Sequence, residues 1–592
     1  MIELINRARL DPAAEAARLG IDLNEGLDGI RISTSSYQPL ALNAHLTEAA
    51  DSHSAWMLET ETISHTGAEG SDTGDRILAT GLDIEDSGTW SENISFRASS
   101  GTLDQTSAII AQHRSLFDSA LHRLNMFRAA ASEVGIGQAT GDFDGYDASL
   151  ITQNFVSNKL TAFLTGVAYV DRDGDDFYSV GEGRGGIDLH VAGSSGVTAS
   201  AGGYAIAVGA TGFQTIRAET AAGTLNMKVN FKGENIKLDL IGNKAVAASG
   251  DLTLLSGLTS GKLLGTNNLY LTGNTVANTL EGNSGDNKVF GGGGSDRIAG
   301  EGGNDLLRGE DGEDRITGGA GQDSMWGGLG DDTIFGGDGA DVLRGGVGFD
   351  IADYGQSTAG VDVSLARGTG FYGAAQGDQL YGIDGVVGSD FKDVLTGNDG
   401  RNLLVGGGGG DILIGLGGGD TLLGGDGDDR FESGQGGDVI RGGAGYDLVD
   451  YTDAAGGVIV YLDGRSATGG YAAGDQIQQV EGVIGSDFAD RLYGDAADNW
   501  LEGGWGSDQM QGGGGADTFV FGFNSGHDTI LDFDTGADLL KISSEQLGAG
   551  GLADILITEK HGDTVLTLAD GSTITLLDVA SAGDLSSYIQ II

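Results

Sequence analysis

The sequence predicts a multidomain chain: an α+β domain with α-β-α layering, then a small β-sandwich, then a right-handed parallel β-roll. Three observations carry this. Glycine is unevenly spread, with 13 of 110 in residues 1–156 and most beyond Gly273, whereas five of the eight histidines lie in the first 125 residues. A nine-residue period sets in at Gly282. Between these two regions, residues 160–245 alternate apolar and polar side chains in short runs, the pattern of half-buried strands.

Composition narrows the possible partners. The 592 residues include 86 acidic and 32 basic side chains, a formal charge of −54, with two prolines and no cysteine. Nucleic acid and anionic membrane would both be repelled. Charge of this density opposes compaction unless counterions bind specifically, and with no disulfides available a metal is the natural staple. No apolar run reaches the 18 residues of a membrane span. The opening residues, Met1 to Arg7, do not follow the basic-then-apolar pattern of a signal peptide. The expectation is a cytoplasmic protein or one exported by a route that reads another signal.

The N-terminal domain is expected over 1–158. Leu4 to Leu19, Leu46 to Leu58 and Thr106 to Phe127 read as helices; 133–137 and 149–156 read as strands. Its histidines include His45, expected at the surface, and His53, expected in the core or at a cleft edge. The segments INRARLDP, HSAWM, ISHTG, ENIS, HRLNMF, SEVGIG and TQNF follow in that order. This set resembles bacterial members of the CAP superfamily (cysteine-rich secretory, antigen 5 and pathogenesis-related proteins). The resemblance implies a cleft of two histidines and two acidic residues that binds a divalent metal in some members. The matching positions are His65, Glu92 and His122; the second acidic position has no clear counterpart, with His113 and Asp118 nearby. Two imidazoles and a carboxylate suit zinc or another divalent ion with an open position, or general acid–base work; they suit equally a purely structural role.

The sandwich is expected over 160–245. Between its first two strands lies Asp171-Arg-Asp173-Gly-Asp175-Asp-Phe-Tyr-Ser-Val-Gly-Glu182. Oxygen ligands at positions 1, 3, 5 and 12 are the spacing of an EF-hand-like calcium loop, although Asp176 stands at position six, where that loop wants glycine. The loop is similar to those of B-type domains in bacterial surface adhesins. Residues 246–272 read as a linker.

The roll is expected over 273–523. Its repeats run GNSGDNKVF, GGGGSDRIA, GEGGNDLLR and onward, in three blocks opening at Gly282, Gly397 and Gly494. Six residues make a glycine turn and three a short strand whose middle residue is apolar, as at Val289, Ile298, Leu404 and Leu413. The sixth position is acidic: Asp296, Asp305, Asp314, Asp323, Asp332, Asp341 and Asp350, then Asp411, Asp420, Asp429, Asp438 and Asp447, then Asp508 and Asp517. Stacked turns would place these carboxylates about 4.8 Å apart. Such a row repels itself unless a hard, oxygen-seeking ion fills it, and calcium is that ion. The nonapeptide resembles that of RTX proteins. Asn287, Asn402 and Asn499 stand at position six where each block opens, as expected of a cap. Residues 345–420 align with 442–517 without gaps at an offset of 97, an internal duplication that carries two strand-rich inserts.

The RTX resemblance implies export by a type I secretion system through an uncleaved C-terminal region, here 524–592. The chain would stay unfolded at cytosolic calcium and fold outside the cell. The expected whole is a secreted, calcium-binding protein with multiple calcium ions. Its CAP cleft would hold a lipid, peptide or glycan; alternatives are a peptidase-like hydrolase working through His65, Glu92 and His122, and an adhesin or matrix protein.

Overall fold

The computed structural model describes residues 1–84, 89–157, 161–547, 549–580 and 585–592. The chain divides into two compact units, Met1–Gly319 and Ala320–Ile592. The junction expected at 158–160 lies outside the described residues.

The N-terminal domain opens with α1 (Ile2–Leu10) and α2 (Pro12–Leu19). One helix was expected here. Asp11 ends it, because its side chain caps Ala14 N at 2.9 Å and Pro12 has no N–H to continue the first helix. A short strand β1 (Ala41–Leu42) leads to α3 (Ala44–Glu59), capped by Asn43. Next come α4 (Thr73–Ala79), which a capping box of Asp72 and Asp75 starts, and β2 (Trp90–Ser99). The expected third helix is two, α5 (Gln105–Asp118) and α6 (Ala120–Met126), broken at Ser119, whose backbone is extended. A hairpin of β3 (Glu133–Phe143) and β4 (Tyr146–Val156) completes a four-stranded sheet of order β1-β3-β4-β2. Helix α3 lies directly on β3: a Cβ at Gly135 or Gly137 would stand 2.0 or 2.1 Å from the helix backbone. The core gathers Ile5, Leu40, Phe117, Met126, Val134 and Phe155. Arg9 is fully buried and donates to the carbonyls of Gln38, Met126, Arg128 and Ala131, pinning both ends of the domain together.

The sandwich strands are β5 (Ala162–Tyr169), β6 (Asp188–Val191), β7 (Ser194–Val197), β8 (Gly203–Val208), β9 (Gly212–Thr220), β10 (Gly223–Phe231) and β11 (Ile236–Ile241). They form two layers, β8-β5-β11 and β7-β6-β9-β10. Each layer runs on into one ladder of the roll. Strand β11 pairs with β12 (Ala245–Ala248), and β12 pairs in parallel with β14 (Ser260–Leu263). Strand β10 pairs with β13 (Leu252–Leu254), and β13 pairs in parallel with β15 (Tyr270–Thr272). Residues 246–272 are therefore ladder, not the expected linker. Their turns lack the glycine signature, so the period was hidden there, but the pairing was not lost. The sandwich covers what would otherwise be the open first edge of the roll.

The nonapeptide turns follow; within each unit strands pair in parallel with the strand 18 residues on, except at the two inserts, where the step is 34 or 37 residues. Within the first unit Leu271, Val289 and Leu307 stack on one ladder, and Leu280 and Ile298 on the other. Within the second unit Leu395, Leu413, Phe431 and Val449 stack likewise. All are at most 2 % exposed, so the thin core expected from the middle strand position is present. The two duplicated segments repeat their elements, down to the short 3-10 turns Gly373–Ala375 and Gly470–Ala472. The expected break at 523/524 does not coincide with the end of the roll. Strands Leu539–Ile542 and His527–Ile530 continue the ladders from 518–521 and 509–511. Strand Ile589–Ile591 and the antiparallel hairpin 556–567 with Thr573–Leu576 then close the far end.

Candidate functional site

The sixth-position aspartates are all buried, each at most 3 % exposed. A backbone relay holds them. Asp393 N donates to Asp411 Oδ1 (2.8 Å), Asp411 N to Asp429 Oδ1 (2.8 Å) and Asp429 N to Asp447 Oδ1 (3.0 Å). On the facing side Asn402 N donates to Asp420 Oδ1 (2.7 Å) and Asp420 N to Asp438 Oδ1 (2.8 Å). In the first unit the same bonds join Asn278 to Asp296, Asp296 to Asp314, and Asn287 to Asp305. In the second unit Asp323 donates to Asp341 and Asp332 to Asp350, while Asp490 N reaches Asp508 and Asn499 N reaches Asp517. Asn287, Asn402 and Asn499 sit where the reading placed them. Each turns its own Oδ1 back onto the N–H four residues earlier and donates its N–H to the first carboxylate of a row.

The relay uses one oxygen of each carboxylate. The other, Oδ2, is buried without a donor at Asp296, Asp341, Asp350, Asp411, Asp420, Asp429, Asp438, Asp447 and Asp508. A buried anionic oxygen with no partner is costly, and a row of them is an invitation to a cation. Glycine makes the space. Position one does not need unusual backbone; it needs to lack a Cβ, which at Gly406 would stand 2.2 Å from Asp411 Oδ2 and 2.6 Å from the Gly424 carbonyl oxygen. Positions two and four, such as Gly407 (φ 109°) and Gly409 (φ 105°), supply the positive φ of the turn. Carboxylate oxygens facing glycine backbone are the hard donor set calcium takes, so the residues fit the ion. Gly406→Ala would press a methyl group against that oxygen. The expected result is at least a tenfold rise in the calcium concentration at the midpoint of folding, read by circular dichroism.

Burial pushes these carboxyls upward, the neighbouring carboxylates add to the effect, and the accepted N–H offsets part of it. Asp296, Asp341, Asp411 and Asp438 are raised to about 7, and Asp508 to about 8.

Several members of the rows escaped the sequence reading. Asp393 and Asp490 keep the phase, 18 residues before Asp411 and Asp508, but Ser and Phe replace the turn glycines at positions two and four. Asp378, Asp475, Asp528 and Asp538 accept from Asp341, Asp438, Asp508 and Asp517 at steps of 37, 37, 20 and 21 residues, where insertions break the period.

In the loop 171–182, Asp171, Asp173 and Asp175 bring ligand oxygens within 4.8 Å of one another. Asp176, at position six, takes φ 57°, the left-handed backbone that glycine takes at this place in an EF-hand. Glu182 is not in that cluster. Its buried carboxylate accepts from Arg172 N and Ser179 N and closes the loop from beneath. Lys262 reaches Asp176 at 3.1 Å, and Arg7 lies 4.4 Å over the Phe177 ring.

In the N-terminal domain, His65 on the loop after α3 and Glu92 on β2 do meet: Nδ1 to Oε1 is 2.8 Å. Arg76 on α4 takes the other glutamate oxygen at 2.5 Å and also donates to the His65 carbonyl. The Glu92 bond raises the His65 imidazole. Burial works against the Glu92 charge, but His65 and Arg76 outweigh it and hold that carboxyl below its usual range. The ring of His65 is largely exposed, its Nδ1 held and its far edge toward solvent. His122, on α6, is half-buried; burial and then the nearby His65 lower it. His53 is buried on α3 and bonds the Ser64 carbonyl. His45 is exposed. His113 is buried against Glu15, and Asp118 is exposed at the end of α5, so neither supplies the second acidic group of a cleft tetrad. His65 Nδ1 holds one Glu92 oxygen and the Arg76 guanidinium the other, so neither oxygen is open to a cation; among the described residues the ligand group within 4.8 Å is Asp171, Asp173 and Asp175.

The model of the cysteine-rich secretory protein family, CAP, matches residues 2–157. That of the RTX calcium-binding nonapeptide repeat matches eight stretches between residues 272 and 519. No curated protein matches. Among solved structures, an extracellular protein containing a SCP domain from Bacillus anthracis str. Ames is 23 % identical, with 21 % of this chain and 35 % of that chain covered and a TM-score of 0.16. The extracellular lipase LipA from Serratia marcescens is 20 % identical, with 34 % of this chain and 40 % of that chain covered and a TM-score of 0.15. The chain thus spans well under half the length of either. By its sequence and its architecture, this chain joins an N-terminal CAP domain to a solenoid of RTX calcium-binding nonapeptide repeats.

Proposed function

We propose that the chain is an extracellular carrier of a CAP-type ligand cleft, exported unfolded by a type I system and folded outside the cell as calcium fills the roll. The observation that carries this is the row of buried carboxylate oxygens with no donor, which a cation would satisfy while they remain ionised. Calcium modules outside cells bind at about 10⁻⁴–10⁻³ M, far above cytosolic levels, so the same residues would leave the roll unfolded inside and rigid outside. The loop Asp171–Glu182 takes one further ion through Asp171, Asp173 and Asp175. In cells equipped with a type I exporter, the full chain is expected in the medium and a chain ending before Asn524 inside. A truncated chain that reaches the medium as efficiently would end the export reading.

A hydrolytic reading rests on the His65–Glu92 pair, in which a carboxylate orients an imidazole whose other edge faces solvent. Activity against a panel of peptides, esters and glycans, lost in His65→Ala, would support it. A wild-type chain inert on the whole panel leaves the cleft as a binding site.

A further inference from the structure

At Asp378 and Asp475 the aspartate relay ends in the same way. Asp341 N donates to Asp378 Oδ1 at 2.9 Å, and Asp438 N donates to Asp475 Oδ1 at 2.9 Å. The next step is missing. Asp378 N turns back to the Ala375 carbonyl, and Asp475 N to the Ala472 carbonyl, both at 3.2 Å. The second oxygen differs too. Asp378 Oδ2 accepts from the Tyr354 hydroxyl at 2.9 Å, and Asp475 Oδ2 accepts from the Tyr451 hydroxyl at 2.7 Å and from Ser433 Oγ at 3.1 Å. Both tyrosines are buried, at 0 % and 2 % exposure.

The two cases are 97 residues apart, in the two copies of the duplication. Between those copies other positions differ: Ser364 stands against Tyr461, Gly368 against Arg465, and Thr396 against Tyr493. The tyrosine, the aspartate and the alanine whose carbonyl ends the relay are the same in both. A hydroxyl donor thus stands at the oxygen that is without a partner at Asp341 and Asp438.

We infer that Asp378 and Asp475 close their rows without calcium, the hydroxyls of Tyr354 and Tyr451 taking the oxygen that Asp341 and Asp438, one step before them, offer to the ion. A neutral donor satisfies the last carboxylate where an insert removes the next turn, so one row of each block ends in a sealed, calcium-independent stop. The inference rests on the calcium reading of the rows.

Calcium bound per full-length chain, counted by equilibrium dialysis at saturating calcium, tests it. Asn at position 378 or 475 keeps the Oδ1 acceptor of the relay. Asp378→Asn with Asp475→Asn is expected to bind as many ions as wild type, and Asp341→Asn with Asp438→Asn at least two fewer. Equal losses in the two double variants would overturn the assignment. If the 378/475 pair fails to give the native circular dichroism in calcium, Tyr354→Phe with Tyr451→Phe decides. Freeing both carboxylates is expected to add ions beyond the wild-type number, and an unchanged count overturns the stop. A wild-type chain that binds no calcium would instead fail at the earlier reading, and the assignment falls with it.

Discussion

In a calcium-free buffer at pH 8 the full chain is expected to lose most of its β-sheet circular dichroism, and millimolar calcium is expected to restore it. A net charge of −54 and rows of buried carboxylates oppose folding, and the core of each turn is a single apolar side chain per strand. Against a total stability of about 5–15 kcal/mol for an ordinary domain, each ion site loaded a hundredfold above its dissociation constant adds about 2.7 kcal/mol. A handful of filled sites is therefore comparable to the whole stability of an ordinary domain. The N-terminal domain has a core of its own, with Phe117, Phe155 and Met126 at its centre, so helical signal should survive the chelator. Identical spectra with and without calcium would refute the reading. So would recovery by magnesium at the same concentration, because the smaller ion demands a tight octahedron and sheds its water reluctantly.

Most of this architecture was legible because a short motif is repeated with its phase intact. The apolar residue at the middle of each strand and the aspartate two residues earlier recur at a spacing that only a stacked turn explains. Legibility ended where the repeat did. Strands in 246–272 pair in register with the ladders, yet Leu252, Gly261 and Leu271 sit in turns of irregular length with no glycine signature. Asp378 and Asp475 are fixed by a relay that jumps 37 residues, which no local window reveals. His65 and Glu92, far apart in sequence and matched only through the resemblance, meet in the structure. Arg76 was not foreseen, because a lone arginine on a short helix carries no motif. It pairs with the same carboxylate that holds the His65 imidazole. The broken helices at Asp11 and Ser119 are local events: a cap and a proline at the first, an extended backbone at the second. Hydrophobic periodicity does not see them.

The same carboxylates that make calcium necessary at pH 8 should make it dispensable in mild acid. In the calcium-free fold Asp296, Asp341, Asp411 and Asp438 titrate near 7 and Asp508 near 8, raised by burial first and by their carboxylate neighbours second. Unfolded, an aspartate titrates near 3.9. Between those values the folded roll binds more protons than the unfolded chain, so its stability rises as pH falls. The contribution is complete below about pH 4 and is lost as pH rises through 7 to 8. Exposed carboxylates with ordinary behaviour stay ionised down to about pH 5, so a change between pH 8 and 5.5 reports the buried rows and not a general loss of charge. That window also keeps clear of the sequence pI of 4.1, where association would confuse the signal. Chelated protein taken from pH 8 to 5.5 should therefore regain β-sheet signal. Calcium requires the ionised form, so its affinity should fall over the same range. Proton and calcium would then be seen to compete for the same oxygens: each folds the roll alone, and each weakens the need for the other. Calcium-free signal that stays flat or declines toward pH 5.5 would show that core packing of the turns, and not the unpartnered carboxylate oxygens, limits folding.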